Sequence, residues 1–217
     1  MRRLFQVALF VMLSFCVLFP VMSAAAAQSQ GMALTKKHPI RIDVKHRRVT
    51  FLAEVNGKYF YQPTRHCAVF EGGTNGEKAI FRAFVDPVTF YHALTRIGLK
   101  PGNNMTLANK TTTHVAGDRV AVTVTWKGAK RSYPLDEVVL DQQKKPIVMR
   151  FGGNLKRAKK LWTGCLLCLD SCPVGIVSNA TYTYGAVEER HETAFKGNPR
   201  ILPPDGTPVF ITVAAEH

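Results

Sequence analysis

Arg119-Val120-Ala121-Val122-Thr123-Val124-Thr125-Trp126 alternates with period two. One face carries Val120, Val122, Val124 and Trp126, the other Ala121, Thr123 and Thr125. Successive side chains of a strand point to opposite faces, so this pattern predicts a half-buried antiparallel strand. Lys127-Gly128 then turns the chain into Arg131-Ser132-Tyr133. Short apolar runs recur outward from this segment. Val138–Leu140, Ile147–Phe151, parts of Val174–Tyr184 and Pro208–Val213 follow it; Arg48–Val55, Lys58–Tyr61, Arg65–Phe70 and Ala79–Phe84 precede it. Asn56-Gly57, between the first two of the preceding runs, predicts a type I′ hairpin turn. Regular structure is expected to begin near Ile40.

A single segment reads clearly as a helix. Asp86 is placed to cap its N-terminus, and Pro87 occupies the first helical position. Phe90, Leu94 and Ile97 recur at helical spacing, Gly98 closes the helix, and Pro101-Gly102 prevents its return. His92, in this segment, reads as a packing or solvent-facing residue. Many short strands, frequent glycine turns and one clear helix predict an α+β fold, mainly antiparallel β, in a single compact domain. No internal repeat or linker divides the chain.

Residues 1–27 read as a secretory signal peptide: Arg2 and Arg3, an apolar stretch from Leu4 to Met22, and the small residues Ser23 to Ala27 for cleavage. The alternative is an uncleaved membrane anchor. Phe15 is too large to precede a lipidated Cys16, and Arg2-Arg3-Leu4-Phe5 echoes a twin-arginine signal that handles folded cargo. Residues 28–37 read as a flexible N-terminal segment and 38–217 as the domain, with no transmembrane segment after signal cleavage. The predicted localisation is therefore exported, periplasmic or otherwise extracytoplasmic. The formal net charge is +14, to which Arg2 and Arg3 contribute two. An exported basic protein suits anionic partners: an anionic surface or an acidic redox partner protein. No nucleic acid is expected, because no stacking motif interleaves the charges.

The chemistry concentrates in Cys165-Leu-Leu-Cys168-Leu-Asp-Ser-Cys172-Pro173. C-x2-C-x3-C-P is a metal-thiolate pattern and the closing part of the bacterial ferredoxin run, whose first cysteine would fall at Trp162. The loop 165–173 has three readings. It could hold an iron–sulfur (4Fe-4S) cluster, with Cys67 or, alternatively, His66 as the missing ligand. It could hold zinc with the same residues. Its cysteines could also pair with Cys67 and one another as disulfides, since four thiols remain after signal removal. Cys67 is the preferred fourth ligand, because neighbours on a strand face opposite ways and only one of His66 and Cys67 can face the loop. Leu166, Leu167 and Leu169 would shield a centre, and Lys156, Arg157, Lys159 and Lys160 form a candidate partner-binding run beside it. Phe151-Gly152-Gly153-Asn154 reads as a turn without the phosphate-loop signature. No catalytic triad or paired carboxylates stand out, so an enzyme is not expected.

Thr163-Gly164-Cys165-Leu-Leu-Cys168-Leu-Asp-Ser-Cys172-Pro173-Val-Gly-Ile-Val-Ser-Asn179 resembles the hallmark segment of the YdjY family of bacterial exported proteins. Ile97–Gly102 and Pro203–Val213 are similar to it as well, and the resemblance spans residues 36–214. It implies a ferredoxin-type, 4Fe-4S-related character with Cys165, Cys168 and Cys172 as motif positions. It assigns no role to Cys67 or His66 and does not imply a ferredoxin fold. The expected function is that of an exported 4Fe-4S redox protein, an electron carrier or redox accessory. The alternative is an exported binding or scaffold domain with disulfides or a structural zinc site.

Overall fold

Residues 34–216 are described by the computed structural model. The proposed signal peptide, Cys16 and residues 28–33 lie outside them. β1 (Ile40–Asp43) and β2 (Arg48–Val55) form the first antiparallel pair. β3 (His66–Phe70) and β4 (Ala79–Ala83) follow, then α1 (Pro87–Arg96), β5 (Val120–Trp126), β6 (Tyr133–Pro134), α2 (Leu135–Val138), β7 (Val139–Asp141), β8 (Met149–Phe151) and α3 (Leu155–Leu161). β9 (Cys165–Cys168), β10 (Val177–Asn179), β11 (Phe195–Gly197) and β12 (Pro208–Ala215) complete the order.

Ten strands form one sheet in the order β6-β5-β12-β2-β4-β3-β9-β10-β8, with β1 on β2; β11 and β7 form a separate ribbon. A bridge between Arg119 and Arg150, and the Phe151 N–H donated to the Asp118 carbonyl at 2.9 Å, bring β8 back beside the start of β5. The sheet therefore curls on itself. Its inner side holds the main core, including Phe51, Phe81, Phe151, Leu166, Leu167 and Ile211. α1 lays Phe90 edge-on against Phe51, with ring centroids 5.3 Å apart.

The expected fold class is corrected. The protein is mostly β, its sheet is mixed, and three α-helices occur among the described residues rather than one. β3 runs parallel to β4 and β9 parallel to β10. Apolar runs look alike in parallel and antiparallel strands, so sequence pattern does not separate them. The connections, residues 71–78 and 169–176, are also shorter than the dozen or so residues that usually link parallel strands. α3 escapes pattern reading because it is short, Asn154 is left-handed (φ 53°) and makes no side-chain cap hydrogen bond, and Trp162 (φ 46°) fills the left-handed C-terminal position that glycine usually takes.

The hairpin expected at Asn56-Gly57 is also corrected. Asn56 is extended (φ −107°) and leads into a short 3-10 turn, Gly57–Phe60. The Gly57 N–H donates to Asp205 Oδ1 at 2.8 Å, and β2 pairs with β1, β4 and β12 instead. Two local readings hold. β5 buries Val120, Val122 and Val124, and it turns back to pair with β6. Asp86 caps α1 by accepting from the Val88 and Thr89 N–H groups.

Candidate metal centre

The sulfurs of Cys165 and Cys168 meet because the β3–β9 ladder is irregular. His66 pairs with Cys168, Ala68 with Leu167 and Val69 with Cys165, so the register passes over Cys67 on one strand and Leu166 on the other. Residues three apart on a regular strand face opposite sides. With these two compensating bulges, Leu166 and Leu167 both enter the main core, while Cys165 and Cys168 both turn to the other side. There they form a second apolar cluster with Cys172, Val69, Ala79 and Val174.

His66 comes to the same side. Its Nδ1 lies 3.6 Å from Cys165 Sγ. One donor atom each from His66, Cys165 and Cys168 falls within 4.8 Å of the other two, and all three residues are buried. Cys172 adjoins Cys168 and receives the Gly175 N–H on its sulfur at 3.3 Å. Cys67 is not brought to this group. It lies in the main core, where burial pushes its thiol up. The four cysteines among the described residues are free, so the alternative reading of disulfides finds no pairing among them.

Electrostatics divide the sulfurs. Hydrogen bonds to Cys165 and Cys172 hold the central Cys168 thiol well above its ordinary value. The same bonds draw Cys165 and Cys172 down against burial, with His66 assisting at Cys165 and Arg65 at Cys172. Arg65 itself is buried. Its Nε lies 3.1 Å and 3.2 Å from the two carboxylate oxygens of Asp170, and its Nη2 lies 2.5 Å from Oδ1. Tyr184 covers the guanidinium at 4.1 Å. Burial works against the Arg65 charge, but Asp170 outweighs it, with Cys172 and Cys168 assisting.

The loop 169–176 is held from α3. Asn154 Nδ2 donates to the carbonyls of Cys172 (3.0 Å) and Gly175 (3.1 Å), and Arg157 Nε donates to that of Pro173 (2.6 Å). Arg157 therefore points inward, whereas Lys156, Lys159 and Lys160 are exposed. A Cβ at Gly175 would lie 2.7 Å from Cys168 Sγ and 2.9 Å from Ser178 Oγ, so only glycine fits there without a shift. Ser178 Oγ is buried and has no hydrogen-bond partner.

Residues 40–214 match the YdjY domain. The chain belongs to the YdjY family. It is 50% identical over 188 residues to the Escherichia coli (strain K12) protein named "Uncharacterized protein YdjY", covering 87% of this chain and 84% of that one. No solved structure matches. His66, the three clustered cysteines, Arg65 and Asp170 all fall inside the matched domain.

The donor set can be tested against the groups considered for it. Donors sharing one tetrahedral ion at bond lengths of about 2.0–2.3 Å stand roughly 3.3–3.8 Å apart. The three donors within 4.8 Å approach that spacing, and small side-chain rotations would close it. A four-iron cube gives each thiolate its own iron, which sets the ligand sulfurs farther apart with sulfide between them. The backbone at Gly175 packs closely against Cys168 and Ser178 on that side of the sulfurs. As arranged, His66, Cys165 and Cys168 could hold a metal ion. Arg65, Asp170, Gly175 and Ser178 were missed as site residues. The available signals were Arg65 beside His66 and Cys67, and the place of Asp170, Gly175 and Ser178 in or beside the cysteine run.

Proposed function

We propose that this chain is an exported, non-enzymatic metal-binding domain in which His66, Cys165 and Cys168 hold one thiophilic ion, with Cys172 as fourth donor. The observation that carries this reading is the convergence of three buried soft donors within 4.8 Å. Zinc matches the mixed sulfur and imidazole set. Bound there, the ion would supply a closed, structural centre tying β3 to β9 and the cysteine loop. Burial of every donor leaves no open position for a substrate. Export rests on the signal-like character of residues 1–27.

The C-x3-C-P spacing and the Arg65 charge beside Cys168 and Cys172 favour a second reading, a 4Fe-4S redox protein. It requires the cysteine loop to open. Metal analysis of the full chain purified anaerobically under reducing conditions separates the two. Stoichiometric zinc, lost in His66→Ala and Cys168→Ala, supports the single-ion reading. Iron with acid-labile sulfide supports the second. A metal-free protein whose melting temperature does not respond to zinc rejects both.

A further inference from the structure

Six large apolar side chains are exposed among the described residues, and only Leu161 (42%) and Trp162 (39%) are adjacent in sequence. They end α3, whose outward face carries Lys156, Lys159 and Lys160. The run Asn154–Gly164 contains no acid.

Trp162 is held in this position. Its backbone is left-handed (φ 46°), a conformation bulky residues avoid. Its N–H donates to the Ala158 carbonyl at 3.0 Å, and its own carbonyl accepts from the Thr74 N–H at 3.0 Å. The indole Nε1–H donates to the Gly72 carbonyl at 3.1 Å, and the ring stands edge-on to Phe70. The polar edge of the ring is thus used internally, so the exposed part is apolar.

The cations beside it differ in kind from the inward one. Arg157, the only arginine of the helix, donates to the carbonyls of Pro173 and Met105 inside the protein. The outer charges are all lysines, which are mobile point charges on long stems rather than planar forks suited to fixed carboxylates. Such charges complement a fluid layer of phosphates, and an exposed tryptophan with leucine suits the boundary between headgroups and acyl chains.

We propose that Leu161, Trp162 and the three lysines form a docking face for an anionic phospholipid surface. The face stands independently of the metal reading.

Trp126→Phe leaves Trp162 as the only tryptophan of the full chain and makes its emission a local probe. Vesicles containing phosphatidylglycerol should shift that emission to the blue, and added salt should reverse the shift. Neutral phosphatidylcholine vesicles should not shift it, even if another part of the chain anchors to them. Lys156→Gln, Lys159→Gln and Lys160→Gln together should raise the lipid concentration at half-shift by roughly a hundredfold. No shift on phosphatidylglycerol, or an equal shift on phosphatidylcholine, would overturn the proposal. A shift produced by polyglutamate but not by phosphatidylglycerol would overturn it in favour of an acidic protein partner.

Discussion

Along β5, β12 and β2 every pairing is antiparallel, and the register of β12 with both neighbours runs unbroken from end to end. Along β3, β9 and β10 the pairings are mixed and the ladder shifts twice within four residues. In the first region β5 alternates apolar and small residues, and Thr50 and Thr212 join β2 to β12 at 2.9 Å. The second, with its cysteine loop, buries a histidine, four thiols, an ion pair and an unpartnered serine hydroxyl. Regular pairing needs only the pleat. The irregular region departs from the pleat to turn two sulfurs and an imidazole to one side.

The largest test of this contrast removes the buried charge. Arg65→Met should cost about 3–5 kcal/mol in urea unfolding, because Asp170 is left buried without its partner. The double variant Arg65→Met/Asp170→Leu should recover most of that loss. Thr50→Val in the regular region, where the partner hydroxyl is half-exposed, should cost only about 1 kcal/mol.

Gly175→Ala should destabilise by about 1–3 kcal/mol, since the new methyl group meets Cys168 Sγ and Ser178 Oγ. Zinc binding, followed by calorimetric titration, should weaken with it. The cysteines sharpen the contrast further. Cys67→Ala should lower stability by roughly 1 kcal/mol and leave zinc affinity unchanged, because Cys67 lies in the main core. Cys165→Ala should abolish the rise in melting temperature with zinc that the single-ion proposal predicts.

Ser178→Ala in the metal-free protein should be neutral or stabilising by up to about 1 kcal/mol, because the hydroxyl it removes makes no hydrogen bond. The smallest expected effect lies beside the cysteine loop at Tyr182. Burial, with Asp141 accepting from the hydroxyl at 2.6 Å, pushes this phenol up to about 12. Its stabilising contribution is complete below the ordinary tyrosine value and is lost as pH rises from there towards 12. Burial also raises Tyr59 and Tyr184, so absorbance titration of the phenolates should show several late-ionising groups, of which Tyr182→Phe removes one.

Local sequence determined the regular region and the chemical identity of the site. The alternation of Val120 to Trp126, the cap at Asp86 and the glycine at position 98 act through nearest neighbours along the chain, so their outcome can be read from the sequence. The run from Cys165 to Cys172 likewise marks a candidate metal-binding site by its thiol spacing. Tertiary structure decided which donors meet. His66 rather than Cys67 faces Cys165 because the ladder shifts at Cys67 and again at Leu166. Arg65 neutralises Asp170, a residue 105 positions away. Bulges, parallel pairing and buried ion pairs arise from contacts between distant segments, and no period in a single strand records them.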